Sequence, residues 1–188
     1  MATTFNPSSY FYDKLMPYIA TVEGGFVNDP LGGPTYMGIT EKTLLVFVGN
    51  TSGSNVGWNV KDLINKPELI ATIYLAWYYL PVHGYELPPK TGVVMFDGAV
   101  QHGIGTIVRM LQRVIGESPE DGLFGPDTLA KALQFIHTTG HSDDQLASDL
   151  LTIRKQLYMG LNQPSDIQGW EDRLEYLANT FQINWNWN

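Results

Sequence analysis

Glu23-Gly24-Gly25-Phe26-Val27-Asn28-Asp29-Pro30, followed at once by Leu31-Gly32-Gly33-Pro34-Thr35-Tyr36-Met37-Gly38-Ile39-Thr40, is the stretch on which the fold turns. Before it, Phe11, Leu15, Tyr18, Ile19 and Val22 recur at helical spacing, so an amphipathic helix runs into Glu23 and the two glycines stop it. Pro17 falls inside that pattern and is expected to kink the helix or delay its start. After it, residues 26–60 are dominated by Gly, Asn, Pro and Thr, with short candidate strands around 36–39 and 44–48. The reading is a small loop-and-hairpin lobe attached to a helix that ends on a carboxylate.

Outward from there the chain returns to helices. Asn65 is placed to cap a helix with Pro67 in its first turn, and residues 70–82 form the most apolar run. That run is too short to span a bilayer and is broken by Pro81, so it reads as a buried helix. Pro88-Pro89-Lys90-Thr91-Gly92 is the best linker candidate, and residues 93–100 suit a central buried helix. Ile107, Met110, Leu111 and Val114 share one helical face. Asp121-Gly122 marks a turn, and Gly125-Pro126 opens a helix. Ser142 with Gln145 makes a capping box, and a last helix carries Trp170, Leu174, Leu177 and Phe181. The expected fold is mostly α, with a small β-hairpin lobe and a helical bundle, divided as 1–90 and 91–188 within one compact domain.

Composition narrows the function. With 188 residues, 44% hydrophobic, there is ample material for a core. The absence of cysteine removes disulfides, thiolate zinc sites and a cysteine nucleophile. A net charge of −8 argues against nucleic acid and against charge-driven adhesion to anionic surfaces. Met1 to Tyr18 has no basic n-region and is interrupted by Pro7 and Pro17, so no secretion signal is read and the chain is expected to be soluble and made in a cytoplasm. His83, His102, His137 and His141 form no metal motif, since Thr138-Thr139-Gly140 should end the helix between the last two. No cofactor is called for, and a monomer without membrane insertion is expected.

Glu23 is the first candidate for chemistry. At a helix C-terminus the negative pole of the dipole disfavours an ionised carboxylate by about 0.3–1 kcal/mol, at most ~2. A general acid working near neutral pH needs more, so burial against apolar neighbours has to supply the remainder. The adjacent glycines let a polymeric ligand approach closely. The alternative is a surface glutamate before an ordinary glycine stop.

The longer strings decide between these. The run from Glu23 to Thr40 resembles the signature of glycoside hydrolase family 108, lysozyme-like N-acetylmuramidases found as phage endolysins and as secretion-associated wall hydrolases. The resemblance continues through Val94-Met95-Phe96-Asp97-Gly98-Ala99-Val100-Gln101-His102-Gly103, Leu111-Gln112 and Asp121-Gly122-Leu123-Phe124-Gly125-Pro126-Asp127-Thr128, which look like the family's peptidoglycan-binding half. Gly169-Trp170-Glu171-Asp172-Arg173 matches the Gly-Trp-x-x-Arg element near the family's end.

The resemblance implies a lysozyme-like α+β fold acting on peptidoglycan glycan strands, with Glu23 as the acid that protonates the bridging oxygen. The first candidate for the second group is Asp29, with Asp97 and Glu41 behind it; Asp29 equally could only brace the turn at Asn28-Asp29-Pro30. Thr35, Tyr36, Thr40 and Asp97 are the candidate substrate contacts, although Thr40 could instead cap a helix starting at Glu41. Trp77, Tyr78, Tyr79 and Trp170 are more often core than sugar platforms. The chain departs from the family in three places: only Pro30-Leu31 separates the Asn-Asp from the Gly-Gly, Met37 stands where an aromatic is usual, and a central-helix Asn is replaced near Gln101-His102. The shortened loop bears on the second carboxylate and is the argument for one rival, a non-catalytic peptidoglycan-binding protein; a secretion-associated wall remodeller with the same chemistry is the other alternative.

Overall fold

A computed structural model describes residues 7–29, 33–52, 57–138, 140–161 and 163–186. Met1–Asn6, on which part of the leader reading rests, Pro30-Leu31-Gly32, Thr139 and the last two residues of the tail lie outside them. The chain divides into two compact units, Met1–Leu75 and Ala76–Asn188. Among the described residues the architecture is a mostly α, lysozyme-like α+β fold: nine α-helices and one three-stranded antiparallel sheet.

The first unit opens with a continuous helical run made of α1 (Pro7–Tyr10), a π turn (Phe11–Leu15) and α2 (Met16–Glu23). The Met16 N–H reaches back five residues to the Phe11 carbonyl, and this widened turn accommodates Pro17 without breaking the run. Phe11, Leu15, Tyr18 and Ile19 are buried, as their spacing predicts. Gly24, at φ 69°, ends α2. The sheet follows as β1 (Phe26–Asp29), β2 (Gly33–Tyr36) and β3 (Ile39–Thr40), in that order. Phe26 pairs with Tyr36 and Val27 with Thr35, while Thr35 pairs with Thr40 and Tyr36 with Ile39.

The strand expected at 44–48 is instead part of α3 (Glu41–Ser52). The Thr43 N–H donates to the Thr40 hydroxyl at 3.0 Å, capping the helix, and Leu44, Phe47 and Val48 are buried together at helical spacing. A 3₁₀ turn (Val60–Asn65) is closed by a capping box between Asn59 and Asp62, so Asn65 ends that turn rather than capping α4 (Pro67–Tyr74).

In the second unit the expected linker is no linker. Pro88 is the N-cap of α5 (Pro89–His102), and a side chain at Gly92 would meet the Gly84 carbonyl oxygen at 2.6 Å. Tyr79 packs edge-on against Phe96 and donates to the Gly84 carbonyl, so residues 79–84 belong with α5. Helix α5 is buried from Thr91 to Ala99. Helices α6 (Ile104–Val114) and α8 (Asp143–Gly160) pack against it, and α7 (Pro126–His137) and α9 (Pro164–Thr180) pack against α8. Gly98 lets α6 approach, because a Cβ there would fall 2.5 Å from the Ile107 side chain. Ser142 caps α8 through the Gln145 N–H, and the Asp143 carboxylate accepts from the N–H groups of Lys90 and Thr91 at the start of α5. No helix among the described residues is long and apolar enough to cross a membrane.

Candidate active site

Glu23 is the last residue of α2, half-buried, and its carboxyl lies over the turn that joins β2 to β3. That turn is Tyr36-Met37-Gly38-Ile39, with Met37 at φ 48° and Gly38 at φ 70°. Two successive left-handed residues match the right-handed twist of a tight hairpin. A non-glycine residue held there costs about 1–2 kcal/mol, and Met37 is kept by its surroundings. Its side chain is buried, its N–H donates to the Gly25 carbonyl at 3.1 Å, and its carbonyl accepts from the Tyr74 hydroxyl at 2.5 Å. A Cβ on Gly38 would stand 2.8 Å from Glu23 Oε2 and 3.5 Å from the Tyr74 hydroxyl oxygen. Only glycine leaves room for the carboxyl there.

Neither Gly38 nor Tyr74 was singled out by sequence reasoning as part of the site. The strand expected around 36–39 is interrupted by this turn at Met37 and Gly38, and nothing in the apolar α4 pattern distinguishes Tyr74 from a core residue.

The structure places the other candidates as follows. Asp29 closes β1 with its backbone paired to Gly33; its side chain lies outside the described part. Thr35 and Tyr36 are half-buried on β2, the strand that leads into the Met37–Gly38 turn. Phe26 and Val27 remain 42% and 53% exposed, so β1 is open on both of its faces. The Thr40 hydroxyl is engaged at the start of α3, bonding Thr43 through both its backbone and its hydroxyl. Glu41 sits in the first turn of α3, where the helix dipole favours a carboxylate.

Asp97 must be corrected. Its side chain has no exposed surface, one oxygen accepts from Arg154 at 2.6 Å, and the other accepts from Arg173 at 2.8 and 3.0 Å. Burial by itself pushes the carboxyl up, but the two guanidinium charges and their hydrogen bonds outweigh it and hold it at about 2. The fold therefore uses Asp97 as the counter-ion of two arginines and does not present it to a glycan. Its neighbour His102 lies 3.1 Å from the Tyr158 hydroxyl, and burial followed by the Arg154 charge pushes its imidazole down to about 4. Trp170, half-buried, stacks on Tyr158 at 4.9 Å, so the Gly-Trp-x-x-Arg element supplies one packed ring and one counter-charge. Gln112, itself buried, holds the Asp121-Gly122 turn by accepting from the Gly122 N–H and donating to Asp121. Among the described residues no group of three or more His, Asp or Glu side chains is placed to hold a metal.

A groove of about 350 Å³ in the first unit, lined by residues including Tyr12, Met16, Ala20, Met37 and Ile70, is almost wholly apolar and does not include Glu23. Apart from Tyr12 and Glu68 its lining carries no polar side chain to meet a hydroxylated ligand.

Residues 16–103 match the Glycosyl hydrolase 108 family, a family of glycoside hydrolases. The structure is similar to that of SagA from Brucella abortus, with a TM-score of 0.73 and 27% identity over 95% of this chain and 98% of that one. No curated protein matches the chain. The matched stretch contains Glu23, the whole hairpin and its turn, and the family resemblance drawn from those motifs is thereby shown: it is to glycosyl hydrolase 108.

Proposed function

We propose that this protein is a peptidoglycan hydrolase, an N-acetylmuramidase cleaving the β-1,4 bond between N-acetylmuramic acid and N-acetylglucosamine, and that it serves as a phage endolysin. The observation that carries the reading is the Glu23 carboxyl, held at a helix end over a bare glycine beside an open hairpin. In this reading Glu23 protonates the bridging oxygen as its bond to the sugar C1 breaks. Asp29, at the end of β1, activates water or offsets the positive charge of the oxocarbenium-like transition state. Thr35 supplies a hydroxyl to the glycan and Tyr36 a ring face to a sugar. A carboxyl separation of about 6.5–9.5 Å gives inversion, and about 5 Å gives retention.

The second unit, in this reading, adds peptidoglycan affinity. The protein is made in the host cytoplasm, acts on the wall after release, and works as a monomer without cofactor. Support comes from the family match to a glycosidase and from the net charge of −8, which suits a neutral-glycan cleft better than a polyanion.

The test follows clarification of a peptidoglycan suspension and the appearance of new reducing ends, for wild type and Glu23→Gln. General acid catalysis contributes about 10²–10⁴-fold, so the variant should lose at least about 100-fold. Full activity in the variant would remove the acid role. Release of free amines without reducing ends would move the enzyme to the amidase or peptidase class, and co-sedimentation with walls without lysis would leave a binding protein.

A further inference from the structure

We propose that Tyr74 is a positioning residue for the Glu23 carboxyl, acting through the Met37–Gly38 turn on which that carboxyl lies; the inference rests on Glu23 as the catalytic acid. Both polar groups of Met37 are tied. Its N–H is held by Gly25, two residues beyond Glu23, and its carbonyl by the hydroxyl of Tyr74 from α4. The turn therefore cannot rotate without breaking one tie to the segment that follows the acid and one to a neighbouring helix.

Gly38 is the part of the turn that the acid meets. The point a side chain would occupy at 38 lies 2.8 Å from Glu23 Oε2 and 3.5 Å from the Tyr74 hydroxyl oxygen, so acid, turn and tyrosine converge on one place. Tyr74 is only 2% exposed, which leaves its hydroxyl to the protein and not to a glycan. Removing that hydroxyl frees the Met37 carbonyl, lets the strained turn relax, and shifts the surface under the carboxyl. A misplacement of about 1 Å can cost about 10²-fold in rate.

The experiment uses the full chain with soluble, uncrosslinked glycan strands as substrate. Tyr74→Phe should lower kcat about 10–100-fold with KM within about threefold, because the ground-state grip is untouched. Gly38→Ala should lower kcat at least as far. Gly116→Ala is the strain control: its φ of 68° matches that of Gly38, but nothing lies within 4 Å of its Cβ position, so kcat should hold. In parallel, the Glu23 side-chain carboxyl ¹³C resonance, assigned by its loss in Glu23→Gln, should move in Tyr74→Phe and Gly38→Ala and stay in Gly116→Ala. A Tyr74→Phe enzyme with kcat within twofold of wild type and an unmoved resonance overturns the proposal. If Tyr74→Phe does not fold, equal kcat in Gly38→Ala and Gly116→Ala overturns it. If wild type yields no reducing ends, the muramidase reading fails, and the resonance alone decides the positioning.

Discussion

Asp97→Asn separates a buried counter-ion from a substrate ligand. The carboxylate has no exposed surface and is bound by Arg154 through one oxygen and by Arg173 through the other. Asparagine keeps the shape but removes the negative charge and turns an amide N–H₂ toward a guanidinium. Two burdens follow. Lowering of the carboxyl from 3.8 to about 2 corresponds to roughly 2 kcal/mol of preference for the charged form. Leaving two enclosed guanidinium groups without a counter-charge raises the total to about 3–5 kcal/mol, the usual result of deleting one partner of a buried pair. The larger figure is the relevant one, because it includes the arginines left behind. Against a typical total stability of about 5–15 kcal/mol this is a severe loss. At a urea slope of about 2 kcal/mol/M the unfolding midpoint at pH 7 should fall by about 1.5–2.5 M, followed by far-ultraviolet circular dichroism. Adding Arg154→Met should recover part of the loss, since an apolar replacement removes a stranded charge. A midpoint within about 0.5 M of wild type, accompanied by a raised KM, would refute the counter-ion role and return Asp97 to the glycan.

Two further outcomes are expected. His102 titrates at 6.5 when unfolded and at about 4 when folded, so acid protonates the unfolded state first. Its stabilising effect is complete above 6.5 and is lost as pH falls from 6.5 towards 4, at most about 3 kcal/mol, whereas the Asp97 contribution is present above 3.8 and lost as pH falls through about 2. His102→Gln should therefore flatten the fall in urea midpoint between pH 7 and pH 4.5; an unchanged slope would exclude His102 as its source. With a net charge of −8, added salt should raise wall-clearing activity or leave it unchanged by screening repulsion from an anionic envelope, and strong inhibition at moderate salt would instead show a local basic docking patch.

Much of this protein is legible in one dimension because the governing forces are local or periodic. The 3.6-residue recurrence from Phe11 to Val22, the glycine pair after Glu23, Gly125-Pro126 before α7 and Ser142 before α8 each specify an element without reference to the rest of the chain. The same signals placed Glu23 at a helix end, where its chemistry became readable. A short apolar run such as residues 44–48 carries no such answer, since it suits a strand or a helix equally until burial of Leu44, Phe47 and Val48 on one side chooses the helix. The use made of each polar group was also beyond the sequence. Asp97 looked like a ligand until Arg154 and Arg173, 57 and 76 residues away, took both of its oxygens. Tyr74 looked like core until its hydroxyl met a carbonyl 37 residues away, beneath the glycine on which Glu23 lies. Sequence by itself determined most of the elements and the place of Glu23 at a helix end; tertiary structure alone decided the partners, because charge pairing and close approach depend on distances through space that no periodicity along the chain encodes.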